Sequence, residues 1–274
     1  MHPILFQIGG IPVFTYGVLV ATGVLLSLWY GRRRAARVGV DPDKLWSMGI
    51  YVVLAALIVA KIWLIFSAWD YYYANPREMF SVTMFQSGGT FYGGVVGAIA
   101  TVILYTHFQK MPLLPTLDVC AAALPLGHSI GRLGCFMAGC CFGKPTDVAW
   151  GVKFTNPLAA QLAGTPLDVH LHPTQLYEAA LEFLNFLFLI WLGKRQRFNG
   201  EILGTYMILY GIERGILEFF RGDPGRTMMF HDSVSLMQIT SVVMILVGAL
   251  LWWRGLSGSS PLKPIEAAAG ATGR

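Results

Sequence analysis

The chain has little charge. Asp, Glu, Lys and Arg make up only 13% of its 274 residues, about half the share found in ordinary soluble domains. A water-soluble globule of this length could not be coated with so few charges, and 55% of the residues are hydrophobic, with a mean hydropathy of +0.56. Other absences narrow the classes further. No glycine-rich segment carries the lysine of a phosphate-binding nucleotide loop. The four cysteines form neither a Cys-x-x-Cys redox motif nor a paired zinc pattern, and no metal or cofactor is expected. No internal repeat points to a transporter built from two inverted halves. Met1-His2-Pro3 lacks the basic start and small-residue cleavage site of a secretory signal, so the first apolar segment is expected to be retained. The net charge of +5 is spread over alternate loops, which argues for a membrane topology rather than a nucleic-acid partner.

What the chain does have is apolar blocks about 20 residues long, the length a helix needs to cross a hydrocarbon core. They predict an all-α integral membrane protein, a bundle of about seven transmembrane helices near residues 12–30, 45–66, 90–108, 114–130, 174–193, 200–220 and 232–253. The domain reading is a membrane-embedded domain over 1–254 and a disordered cytoplasmic tail over 255–274, rich in Gly, Ser, Pro and Ala. Most basic residues, among them Arg32, Arg33, Arg34, Lys110, Lys194, Arg195 and Arg197, fall in loops on one side. The positive-inside rule then places the N-terminus outside and the C-terminus inside. Aromatic runs at Trp69–Tyr73 and Trp252–Trp253 fit the two interfaces.

Ionisable groups inside such spans are costly unless paired or wetted, so each is a functional candidate. They fall in stripes. Tyr210, Arg214, Glu218 and Arg221 are spaced four, four and three apart, and Gln175, Glu178 and Glu182 three and four apart, so each set lies on one helix face. Gly127-His128-Ser129-Ile130-Gly131-Arg132-Leu133-Gly134-Cys135 adds a third element, whose glycines permit close backbone approach and are expected to leave amides free near Arg132. Two guanidiniums, Arg132 and Arg214, suit the phosphate of a phospholipid at this depth. Glu178 and Glu182 either take part in the chemistry or neutralise an arginine, and His128, His170 and His172 are proton carriers or hydrogen-bonded filler. A fourth element, Ser87-Gly88-Gly89-Thr90-Phe91-Tyr92-Gly93-Gly94, reads as a packing or re-entrant turn. Cys135, Cys140 and Cys141, with Cys120 upstream, read as small buried thiols or as a disulfide.

Together these motifs resemble the prolipoprotein diacylglyceryl transferases of bacterial inner membranes, from about residue 10 to 254. The resemblance rests on Gly131-Arg132-Leu133-Gly134-x-Phe136, on His172-Pro173-Thr174-Gln175-Leu176-Tyr177-Glu178, and on Tyr210-Gly211-x-x-Arg214-x-x-x-Glu218-Phe219-Phe220-Arg221. It implies an active site open to the outer leaflet, phosphatidylglycerol and a prolipoprotein with a lipobox cysteine as partners, no nucleic acid, and transfer of the diacylglyceryl group to the cysteine thiol with release of glycerol phosphate. Arg132 then corresponds to the lipid-binding arginine and Arg214 to a second required one. Arg132, Arg214, Tyr92, His128 and Glu218 are the catalytic candidates. Gly131, Gly134, Cys135, Gln175, Tyr210 and Arg221, with Arg132, are the substrate-binding ones.

The sequence departs from the familiar pattern at the proton acceptor. Tyr92 stands where the family commonly has a His, and Cys135 and Cys140 stand where it often has Asn and Glu. A tyrosine is a poor base at neutral pH, so His128, a carboxylate, or arginines acting on the thiol's ionisation must be weighed for that role. Two competing readings use the same residues: a membrane thiol oxidoreductase built on Cys135, Cys140 and Cys141, and a non-enzymatic lipid or anion transporter built on the buried arginines.

Overall fold

The computed structural model describes residues 1–81, 84, 89–223, 227–229 and 233–258. Ser87 and Gly88 of the glycine-rich turn, and the expected tail from residue 259 onward, lie outside the described residues. In chain order come the hairpin β1 (Ile4–Ile8) and β2 (Ile11–Phe14), then helices α1 (Thr15–Ala35), α2 (Pro42–Ser67), α3 (Trp69–Ala74), α4 (Phe91–Phe108) and α5 (Leu113–Ala138). There follow β3 (Val152–Lys153), α6 (Pro157–Ala163), β4 (His170–Leu171), α7 (Thr174–Gly193), α8 (Glu201–Phe220), β5 (Met228–Met229), β6 (Val234–Ser235) and α9 (Leu236–Leu256). The fold is mostly helical, with three two-stranded antiparallel pairs as its only named sheets among the described residues.

Every expected span coincides with a long helix. Five of these, α2, α4, α5, α7 and α9, are long and apolar enough to cross a membrane. α1 closes on Arg32, Arg33 and Arg34, and α8 carries Glu201, Glu213, Arg214 and Glu218. The largest departure is at α5, which was expected to end near 130 and runs to Ala138 through Pro125. Polarity is inverted relative to a soluble protein. Leu54, Leu57, Ile58, Ile103, Leu184, Val243 and Leu246 are exposed, whereas Asp118, Gln175, Glu178, Glu182, Glu201, Arg214 and Glu218 are buried.

The chain divides into two compact units, Arg32–Thr116 and a second made of Met1–Gly31 with the described residues from Leu117 onward. In the first, Asp41 caps α2 by accepting from the amides of Lys44 at 3.0 Å and Asp43 at 2.9 Å. Those donors hold its carboxyl below the ordinary carboxylate range. α2 and α4 touch through glycine. A Cβ on Gly93 would lie 2.6 Å from Trp63 Cβ, and one on Gly97 would lie 2.9 Å from the Ala55 carbonyl oxygen. Of the glycine pattern read as a packing or re-entrant turn, Gly93 packs here, and Gly97 one turn on does the same, letting two helix backbones approach.

In the other unit, α1 meets α5 in the same way, since a Cβ on Gly23 would lie 2.7 Å from the Gly127 carbonyl oxygen. Ser27 donates across that contact to the Ala123 carbonyl at 2.9 Å. α8 meets α9 at Gly204 and Gly248, each close to the other's carbonyl, and Trp252 donates its indole N–H to Thr205 at 3.0 Å. At the opposite end of α5 from Arg132, buried Asp118 accepts from the Gly200 amide at 2.6 Å, the Leu203 amide at 2.9 Å and the Gln196 side chain at 2.7 Å. One carboxylate thus satisfies two of the free amides at the start of α8. Each stranded buried donor costs roughly 1–3 kcal/mol, so Asp118→Ala is expected to destabilise the unit by about 3 kcal/mol. A fall in the thermal midpoint of the detergent-solubilised protein, with Asp118→Asn intermediate, checks this.

Candidate active site

α5 is continuous through Gly131 and Gly134, so the amides around Arg132 are committed to carbonyls one turn back. The expectation of free amides there is corrected: any donors offered to a ligand come from side chains. A Cβ on Gly134 would lie 3.3 Å from Tyr16 of α1, whereas one on Gly131 would meet nothing within 4 Å.

His128 and Arg132, four residues apart on α5, face Glu178 and Glu182, four apart on α7. Arg132 Nη2 donates to Glu178 Oε1 at 2.8 Å, and Arg132 Nε to His128 Nε2 at 3.3 Å. His128 Nδ1 lies 3.2 Å from Glu182 Oε1, and its Nε2 lies 3.3 Å from Glu178 Oε1. One tautomer satisfies most of these contacts. A proton on Nδ1 donates to Glu182 and leaves the Nε2 lone pair to accept from Arg132. Should Nε2 gain a proton, Glu178 is there to accept it.

α8 adds the second arginine. Arg214 is buried and paired with buried Glu218 at 3.0 Å through Nη2. Its Nη1 is also buried and has no hydrogen-bond partner among the described residues. Tyr210, one turn earlier, sets its ring edge-on to His128 at 5.6 Å, within electrostatic reach of Arg132, Arg214 and Glu178. The structure therefore gathers Arg132, His128, Tyr210, Arg214 and Glu218, with Glu178 and Glu182, into one cluster, in which Arg214 and the three carboxylates are buried and Arg132, His128 and Tyr210 half-buried. Arg221 is the residue that caps α8 rather than part of its helical face, and it pairs with Asp223. Tyr92 starts α4 in the other unit, its ring 5.5 Å from Phe91.

The segment after α5 is stitched between the two other motifs. The Gly143 amide donates to the His172 carbonyl at 3.0 Å, the His172 amide to the Lys144 carbonyl at 3.0 Å, and the Lys144 amide to the Phe220 carbonyl at 2.8 Å. Gln175, predicted to bind substrate, donates its amide to the Cys140 carbonyl at 2.7 Å, and Thr174 donates to the Cys141 carbonyl at 2.8 Å. Phe142, Phe154 and Leu171 pack beneath this crossing. A Cβ on Gly143 would sit 2.5 Å from both His172 Cβ and the His172 carbonyl oxygen. Backbone cannot yield as a flexible side chain does, so Gly143→Ala is expected to cost about 1–3 kcal/mol, read as a lower unfolding midpoint.

Some groups were missed. Glu213 is buried and accepts from Asn185 at 2.8 Å; its sequence signal was its place as an acid inside the 200–220 span, off the face that carries Tyr210, Arg214 and Glu218. Trp150 donates to Tyr177, whose hydroxyl lies 3.2 Å from His172 Nδ1, so the histidine belongs to a surface network. Cys135, Cys140 and Cys141 carry free thiols in this structure, and their sulfurs converge.

Long apolar helices enclosing an ionic network of two arginines, a histidine and carboxylates define a multi-pass membrane protein. The family model described as prolipoprotein diacylglyceryl transferase matches residues 3–254, and the chain belongs to that family. It is 33% identical over 253 residues to the phosphatidylglycerol–prolipoprotein diacylglyceryl transferase of Clostridium tetani, covering 92% of this chain and 97% of that one. It is 32% identical to the same-named proteins of Pseudoalteromonas translucida, covering 92% of each chain, and of Geobacter sulfurreducens, covering 90% of this chain and 93% of that one. These matches make the protein a transferase and support neither the oxidoreductase nor the transporter reading.

Proposed function

We propose that the protein transfers the diacylglyceryl group of phosphatidylglycerol to the lipobox cysteine of a prolipoprotein, forming a thioether and releasing glycerol phosphate, the first step of lipoprotein maturation. Membership of the family supports the reaction. The single structural observation that supports its placement is the buried Nη1 of Arg214, unsatisfied among the described residues, in the network that holds Arg132. A buried guanidinium donor without a protein partner is costly, and an anionic phosphate oxygen satisfies it.

In this reading the phosphodiester lies between Arg132 and Arg214, with Glu178 and Glu218 fixing the two forks and Tyr210 beside them. Gly131 leaves room for lipid, and Gly134, Cys135, Gln175 and Arg221 line or shape the pocket. The thiol gives its proton to His128 Nε2, held in the correct tautomer by Glu182, and Glu178 stabilises the resulting imidazolium. The sulfur then attacks the glyceryl carbon, the carbon–oxygen bond to phosphate breaks, and the electron pair leaves on glycerol phosphate, whose developing charge the two arginines neutralise. Tyr92 is assigned to this reaction by resemblance alone.

The same reading makes the chain a seven-span protein of the bacterial inner membrane, N-terminus outside and C-terminus inside. In it α1 and α8 cross along with the other five, 1–254 forms one membrane domain, and the network opens toward the outer leaflet. The skew of basic residues and the depth of phospholipid headgroups support that placement. Expression in a bacterium depleted of its own transferase tests the function: restored growth and lipid-modified lipoproteins are expected. Unmodified prolipoprotein accumulating despite normal membrane levels of the chain would contradict it.

A further inference from the structure

The sulfur atoms of Cys135, Cys140 and Cys141 all lie within 4.8 Å of one another. Three features of the chain produce this. Cys135 sits in the last turn of α5, Gly139 turns the backbone with φ 83°, and Cys141 adopts φ 60°, a left-handed conformation that non-glycine residues seldom take. The carbonyls of Cys140 and Cys141 are pinned by Gln175 and Thr174, so the turn is held from outside the thiols. The strained residue and its pinned carbonyl aim a third sulfur at a point two others already face, whereas a redox pair needs only two.

We propose that these three thiols form a trigonal site for a soft monovalent cation, Cu(I). With metal–sulfur bonds of about 2.3 Å, three ligands around a trigonal ion stand roughly 4.0 Å apart, so the observed triangle closes on an ion with sub-ångström shifts. Thiolate ligands select Cu(I) over harder ions, and among the described residues no histidine or carboxylate joins the three sulfurs to complete a tetrahedral zinc site. Binding is a ligand exchange without redox change: three S–H groups release three protons and three Cu–S bonds form. The site does not depend on the transferase reading.

The test uses the full-length protein, reduced and anaerobic in detergent, loaded with Cu(I) and then desalted against a Cu(I) chelator. One equivalent of retained copper, with an X-ray absorption edge and shell of three sulfurs, is expected. Cys140→Ser and Cys141→Ser should each lower retention at least tenfold, Cys120→Ser should leave it unchanged, and prior alkylation of the unmutated protein should abolish it. Copper that is not retained overturns the proposal, as does retention indifferent to alkylation or preferential retention of Zn(II). A disulfide among the three, found by acid-trapped mass spectrometry of membrane-isolated protein, also overturns it.

Discussion

Arg132→Ala is expected to abolish diacylglyceryl transfer, with kcat/KM down at least about 1,000-fold. Losing one preorganised donor to a developing oxyanion commonly costs 10²–10³ in rate, and Arg132 does more than donate. Its Nη2 holds Glu178 at 2.8 Å and its Nε meets His128 at 3.3 Å, so truncation also frees both neighbours. Glu178 is 3% exposed and would be left without its cation, a cost that falls on folding as well as on catalysis. Arg132→Lys separates the two. It keeps the charge beside Glu178 and gives up the fork, so stability should be nearly retained while kcat/KM falls about 100-fold. Steady-state transfer to a lipobox peptide, with unfolding midpoints for both variants, reads the difference.

His128→Gln is expected to lower kcat by roughly 10²–10⁴, the usual worth of a positioned general base. Glutamine can still hydrogen-bond to Glu182 and Arg132, so the network keeps its members and loses the proton acceptor. Glu182→Gln, which removes the carboxylate 3.2 Å from Nδ1, should cost less, about 10-fold, because the ring stays in place with a weaker hold on its tautomer. A selenocysteine peptide gives a readout that a structural role would not move. A selenol is ionised at neutral pH and needs no base, so the His128→Gln deficit should shrink with it while the Arg132→Ala deficit persists.

Long helices and the polar faces of α7 and α8 were legible in the sequence because helical periodicity in lipid is enforced by a single solvent. Gln175, Glu178 and Glu182, spaced three and four apart, had one way to avoid hydrocarbon, and all three are buried. The pairing was less legible. Spacing put Arg214 and Glu218 together, but only the structure shows Arg132 on Glu178 of another helix, since nothing along a chain sets the register between α5 and α7. Free amides near Arg132 were a wrong inference from glycine content: Gly131 and Gly134 serve approach and space within an unbroken helix. Contacts that cross a turn were illegible. Cys135, Cys140 and Cys141 match no ligand spacing, and they meet because Gly139 and Cys141 take left-handed conformations. Asp118 carried no signal of its partners, because its three donors come from residues about 80 positions away.

The most direct measurement follows one oxygen atom. Phosphatidylglycerol carrying oxygen-18 in the bridge between the diacylglyceryl carbon and phosphorus is incubated with the purified protein and a lipobox peptide. If the two arginines stabilise a leaving phosphate while sulfur attacks carbon, the label appears wholly in glycerol phosphate, in equal amount to thioether-linked peptide, and Arg132→Ala forms neither. Label kept on the lipid product, or glycerol phosphate released without thioether, would contradict the account.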